Sequence, residues 1–176
     1  MKDMKNKRFL MRLSILIVMI GAVGYSLYVN FSEERGVVDA GDTAPNFIVQ
    51  DLDGENVELT DYNGQGIYLN FWATYCVYCR EKMQYLQEHE EEYREKGVTI
   101  LNVNVDETTL QVERHKERQN LTFPLYIDRN MLVSNAYGVA SLPTVFLIDH
   151  EGTVKERQIG GKTEGQVVEA LESLVP

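Results

Sequence analysis

The sequence reads as an α/β protein: one mixed β-sheet covered by helices on both faces. Two continuous apolar runs of strand length, 67–72 (IYLNFW) and 98–105 (VTILNVNV), suit strands buried on both faces. A segment of helical periodicity lies between them, which makes a parallel crossover. Hairpin signals flank this unit in the chain, and hairpins bring antiparallel strands.

In chain order, residues 47–52 and 56–59 flank the turn Asp53-Gly54 and form the first hairpin. The run 67–72 follows. From Cys79 the apolar positions Met83, Leu86 and Tyr93 recur at helical spacing, with Glu and Arg between them, until Gly97 ends the segment. Residues 98–105 are the second buried strand, 109–119 a polar helix, 125–127 a short strand and 132–137 a helical turn or two. Residues 144–149 (TVFLID) and 154–159 flank Glu151-Gly152 as a second hairpin, and 164–174 closes the chain as a helix. These patterns say which segments pair locally; they leave the sheet edges open.

The 176 residues suit one domain with a short appendage. At 44 % hydrophobic and 25 % charged residues, the chain has the balance of a globular protein, not a disordered one. Its charge is uneven. Residues 1–35 hold six basic and three acidic side chains, a net of +3, so the total of −10 leaves −13 on residues 36–176. Phosphates would be repelled by such a body, which argues against nucleic acid as a partner.

From Leu13 to Ser32 no residue is charged, and Leu, Ile, Val and aromatics dominate. About 20 apolar residues are needed to cross ~30 Å of hydrocarbon as a helix. A cleaved signal peptide would have a shorter apolar region and a small-residue cleavage site, which is not found here. The basic residues precede the span and Glu33 and Glu34 follow it, so the N-terminus is expected in the cytoplasm and the body outside. The expected organisation is a basic cytoplasmic segment 1–12, a transmembrane anchor 13–32, a tether 33–41 and one domain, 42–176.

The chain has two cysteines, Cys76 and Cys79, in C-V-Y-C. A zinc site usually takes four ligands, and His89, His115 and His150 are scattered without ligand spacing. A purely structural disulfide over so short a loop would restrain the chain little. The chemical reading has a mechanism. The pair follows a buried strand and opens an amphipathic helix, where unpaired backbone N–H groups and the helix dipole stabilise a thiolate. Cys76, nearer the helix start, is expected to attack; Cys79, one turn in and on the buried side, is expected to resolve the mixed disulfide. No cofactor or metal is expected.

Beyond the pair stand N-F-W-A-T-Y before it and, more than sixty residues later, S-L-P-T-V-F-L-I-D. Together these resemble the thioredoxin superfamily, in which a W-A-x-x-C-x-x-C turn faces a cis-proline at the start of a later strand. Pro143 matches that proline, and Trp72 matches the tryptophan beside the site. More narrowly, the chain is similar to the TlpA/ResA-like branch of membrane-anchored oxidoreductases. G-D-T-A-P-N-F, D-L-D-G-E-N-V-E-L-T-D-Y, V-N-V-D-E and the N-terminal span carry that likeness over essentially the whole chain. The resemblance implies a thioredoxin fold with an added N-terminal β-hairpin and an activity that reduces protein disulfides. Its typical substrates are the oxidised heme-binding cysteines of apocytochrome c, with electrons from a membrane thiol reductase.

The chain departs from the branch at two places. Tyr78 stands where Pro usually precedes the second Cys, and Lys82 where a Glu usually follows it by three residues. Glu81 is one residue off that helical face and does not substitute. A cation at Lys82 would favour thiolate; a solvated surface lysine is the alternative. Asn70 stands six residues before Cys76, where cytoplasmic thioredoxins carry a buried Asp. Two other functions compete. A peroxiredoxin-like peroxidase shares the G-D-x-A-P-N-F opening but needs Thr three residues before its reactive Cys, and Ala73 stands there. A non-enzymatic membrane-tethered chaperone or heme-handling module would work without the cysteines.

Overall fold

The computed structural model describes residues 11–25 and 37–176, as two separate units. Residues 11–25 form one helix, α1. At 1.5 Å per residue these described residues alone rise about 22 Å, against ~30 Å of hydrocarbon in a membrane. Among the described residues no helix is long and apolar enough to cross a membrane. The anchor expected over 13–32 runs past α1 into residues 26–32, which lie outside the described residues, as do 1–10 and 33–36.

The second unit carries seven strands: β1 (Ile48–Asp51), β2 (Asn56–Glu58), β3 (Gly66–Trp72), β4 (Val98–Val105), β5 (Leu125–Asp128), β6 (Thr144–Ile148) and β7 (Val154–Ile159). Its helices are α2 (Val77–Glu95), α3 (Thr109–Gln119), α4 (Leu132–Ala136) and α5 (Glu164–Glu172). The strands form one sheet in the order β2-β1-β5-β4-β3-β6-β7. β3, β4 and β5 run parallel, while β6 and β7 at one end and β1 and β2 at the other are antiparallel. This is a thioredoxin-like mixed sheet with the added hairpin continuing it past β5.

Every residue of β3 is buried, because the sheet covers its edges and helices cover its faces. Alternation along the strand divides the core in two. Tyr68 and Trp72 face the layer of α2, α3 and α5 with Met83, Leu86, Val112 and Leu171. Leu69 and Phe71 face the opposite layer with Val133, Tyr137 and Phe146, whose rings meet edge-on. Capping boxes start α3, through Thr108 and Gln111, and α5, through Thr163 and Gln166. The α4 start has no such box; instead the buried Asp128 carboxylate accepts the N–H groups of Val133 and Ser134.

The β1–β2 hairpin seats on β5, through Gln50 opposite Ile127 and Asp51 opposite Tyr126, and not on its sequence neighbour β3. Alternation fixes which face of a strand is apolar but not which strand lies beside it. Val38, within the span read as tether, is buried in the core, and the Gly41 N–H donates to Val154 O at 2.8 Å.

Candidate active site

β3 and β4 are parallel and end at the same rim of the sheet, where ligands of α/β proteins bind. The chain leaves β3 at Trp72, turns through 73–75 and enters α2 with Cys76 as its N-cap. Cys76 and Cys79 are joined as a disulfide, with sulfurs 2.11 Å apart. The Cys79 N–H donates to the Cys76 sulfur at 3.2 Å. The helix thus aims a donor at the position where a Cys76 thiolate stands once the bond is opened, and that contact favours the charged sulfur. Cys76 is half-buried, whereas Cys79 is 1 % exposed and packs in the α2 layer. Of the two sulfurs, only that of Cys76 lies where a partner can reach it.

Cys76 borders a groove of about 450 Å³ between the 75–78 turn and the 139–142 segment. Tyr75, Val77 and Tyr78 are largely exposed along it, and Val139 and Leu142 form the other wall. The Leu142–Pro143 peptide bond is cis. The loop is held from behind by the Gly160 N–H, which donates to Pro143 O at 2.8 Å. Tyr78 closes over Gly161, so tightly that a Cβ there would lie 3.0 Å from the tyrosine ring.

The 73–75 turn is fastened from β4. The Glu107 carboxylate accepts the Thr74 N–H at 2.7 Å, the Thr74 hydroxyl at 2.5 Å and the Asn104 amide at 2.7 Å. Asn104 in turn accepts the Glu107 N–H. Glu107 lies in the V-N-V-D-E stretch, whose sequence gives no sign that it reaches across to Thr74. His115 is the second group the motif does not reveal: it is buried on α3 against Trp72, ring centroids 5.2 Å apart. Burial, with Arg118 and Arg80 nearby, holds its pKa below the usual histidine value.

Trp72 is fully buried and makes this contact from the α2 side of β3. Asn70 is also fully buried and donates to Asn102 Oδ1 at 2.8 Å and to the Met83 sulfur. Lys82 corrects one expectation: it is not a solvated surface lysine. Its side chain is fully buried, and Nζ has no hydrogen-bond partner among the described residues. Burial, with Lys162 adding repulsion, pushes its pKa down to about 7. The buried stripe of α2 runs Cys79, Lys82, Met83, Leu86, so helical spacing alone already put Lys82 on the core face. Glu81 is exposed. Among the described residues no three His, Cys, Asp or Glu side chains gather to hold a metal.

The arrangement is that of a dithiol-disulfide couple with one reachable and one enclosed sulfur. Known proteins agree. The AhpC/TSA family matches residues 40–157. The thiol-disulfide oxidoreductase ResA of Geobacillus thermodenitrificans is 47 % identical over 98 % of this chain and 99 % of its own length. That of Halalkalibacterium halodurans is 44 % identical over 98 % of each. The crystal structure of a Chlorobium tepidum protein described as a DsbE thiol:disulfide interchange protein superposes with a TM-score of 0.73. It is 28 % identical and is covered over 79 % of this chain and 99 % of its own. The chain therefore belongs to the thiol-disulfide oxidoreductases of the ResA kind, built on a domain of the AhpC/TSA family.

Proposed function

We propose that this oxidoreductase works outside the cytoplasm, tethered by residues 13–32, and reduces disulfides in protein substrates, those of apocytochrome c heme-site cysteines among them. The observation that carries the reading is the unequal burial of the pair: Cys76 borders an open apolar groove and Cys79 is enclosed behind it. In the dithiol form the Cys76 thiolate attacks one sulfur of the substrate disulfide, and the other substrate sulfur leaves as a thiolate. Cys79 then attacks the Cys76 sulfur, releases the second substrate thiolate and forms the disulfide seen here. Two electrons pass to the substrate, and a membrane thiol reductase restores the dithiol. The groove suits an extended segment with apolar side chains, because its walls are aromatic and aliphatic.

Cys79→Ser leaves the attacking sulfur in place and removes the resolving one. It should accumulate a mixed disulfide with substrate protein in cells, released by reductant, and Cys76→Ser should not. The reverse pattern would exchange the two roles, and no adduct in either variant would defeat the exchange mechanism. Protease added to cells stripped of their outer layers should digest the body; its protection would refute the placement. The AhpC/TSA match favours a second reading, thiol peroxidase. With Ala73 at the position where that chemistry needs Thr, hydrogen peroxide should turn over no faster than with a free thiol.

A further inference from the structure

Resolution of the mixed disulfide requires a thiolate at Cys79. Yet Cys79 is enclosed, where burial opposes charge and water is excluded. Something on its side of the site must take the proton. Lys82 follows it by three residues on α2, and residues so spaced share a helix face with Cβ atoms about 5–6 Å apart. Its amine is fully buried and unpartnered among the described residues. An isolated ammonium in such a place is costly, and the group escapes the cost by releasing its proton. A neutral amine is then an acceptor beside a thiol that must lose one.

We infer that Lys82 is the proton acceptor for Cys79 when the mixed disulfide is resolved, and its donor when the disulfide is reopened. The inference rests on the exchange mechanism above and assigns it a base. The Cys79 thiol gives its proton to the Lys82 amine, and the resulting thiolate attacks the Cys76 sulfur. The Cys76–substrate S–S bond breaks with its electron pair on the substrate sulfur, and the Cys76–Cys79 bond forms. The Lys82 ammonium then passes its proton on to solvent or to the departing thiolate, and no further reactant is required.

The surroundings favour a proton that comes and goes. Burial and Lys162 both lower the affinity of Lys82 for a proton, bringing its pKa to about 7. The other ionisable groups facing this layer are Tyr68 on β3, Tyr85 and Tyr93 on α2, His115 on α3, Glu156 on β7 and Glu169 on α5. Glu156 acts on Tyr68, whose own ionisation burial suppresses. None of these is paired with the amine. A polar cleft of about 270 Å³ between β7 and α5 is lined by Glu156, Gln158, Glu169 and Lys162, the lysine whose charge acts on Lys82. Gln158 Oε1 and the Tyr68 hydroxyl are also buried without partners among the described residues. The pairing Asn70–Val145–Gln158 across β3, β6 and β7 sets Gln158 on the Tyr68 side of the sheet.

Single turnover of the reduced protein with 5,5′-dithiobis(2-nitrobenzoate) separates the steps. The first nitrothiolate is released as Cys76 forms the mixed disulfide, the second as Cys79 resolves it. Rates of both phases are measured from pH 5.5 to 9.5 in wild type, Lys82→Met and Lys82→Arg. In wild type the second phase should rise with an inflection near 7. Lys82→Met fills the same space without a base, so the second phase at pH 7.5 should fall by about a hundredfold, the lower end of what a positioned proton acceptor contributes. It should recover only at high pH, with the first phase unchanged. An arginine keeps charge and cannot accept a proton, so Lys82→Arg should lose the inflection as well. If Lys82→Met keeps the wild-type second phase, or Lys82→Arg restores it, Lys82 is not the acceptor. If wild type itself shows no second phase, the exchange mechanism fails and this assignment falls with it.

Discussion

Glu107, two residues past β4, grips Thr74, two residues before the reactive cysteine, through both its backbone N–H and its hydroxyl. Neither residue carries redox chemistry itself, yet this contact sets where α2 begins. A carboxylate shared among three donors makes charge-assisted bonds, which are about twice as strong as neutral ones. Glu107→Ala strands the Thr74 N–H and the Asn104 amide without an acceptor. The expected cost is about 2 kcal/mol of stability, read by urea unfolding, with slower reaction of Cys76. Unchanged unfolding would show that the turn is held by other contacts.

The unequal placement of the two sulfurs sets their acidity. In the dithiol form Cys76 keeps the helix N–H donor that now meets its sulfur, while Cys79 lies in the apolar layer. The first favours a thiolate and the second opposes it. In Cys79→Ser the alkylation rate of Cys76 should inflect below the free-thiol value of about 8.5. In Cys76→Ser, Cys79 should react more slowly and at higher pH. A faster, more acidic Cys79 would contradict both the burial and the helix-terminus arguments.

Much of this site is legible without any geometry. Strand β4, helix α3 and strand β7 fall at the boundaries expected of them, with Gly97 just before β4, Asn120 just after α3 and Gly160 just after β7, each in a positive-φ conformation. The redox pair declares itself through its place between a buried strand and an amphipathic helix. What stays hidden depends on distance in space. Glu107 reaches a residue 33 positions away, and the hairpin chooses β5 as neighbour for reasons of register that no local pattern encodes. At Lys82 side-chain type misleads. Its spacing places it in the core and its charge suggests the surface; packing decides for spacing.

Gly66 tests how closely the closing helix fits. A Cβ at this first residue of β3 would lie 2.1 Å from the backbone oxygen of Leu174 and 2.9 Å from its Cβ. Leu174 is itself buried, so neither side can swing into solvent. Gly66→Ala must displace the end of the α5 segment or the start of the strand, at about 3 kcal/mol for an overpacked core. A loss under about 1 kcal/mol would mean that the C-terminal segment yields easily.

Lys82 also gives stability a pH dependence of definite sign. In the fold its pKa is lowered from 10.5 to about 7, by burial first and Lys162 second. Between those two values the unfolded chain binds one proton more than the folded one, so stability rises with pH across that window. Below about 7 both forms are protonated and the fold bears the whole cost of the buried ammonium. Above about 10.5 both are neutral and the cost is gone. Each tenfold loss of proton affinity corresponds to about 1.4 kcal/mol, so the full cost is on the order of 4–5 kcal/mol. Lys82→Met carries no proton in either state, and other titrating groups cancel in the comparison. The oxidised variant should be more stable than wild type at pH 6 in guanidinium unfolding, and the gap should close steadily toward pH 10. A gap that stays level with pH would mean that the amine reaches water or a partner, and that Lys82 is protonated in the fold as it is in the open chain.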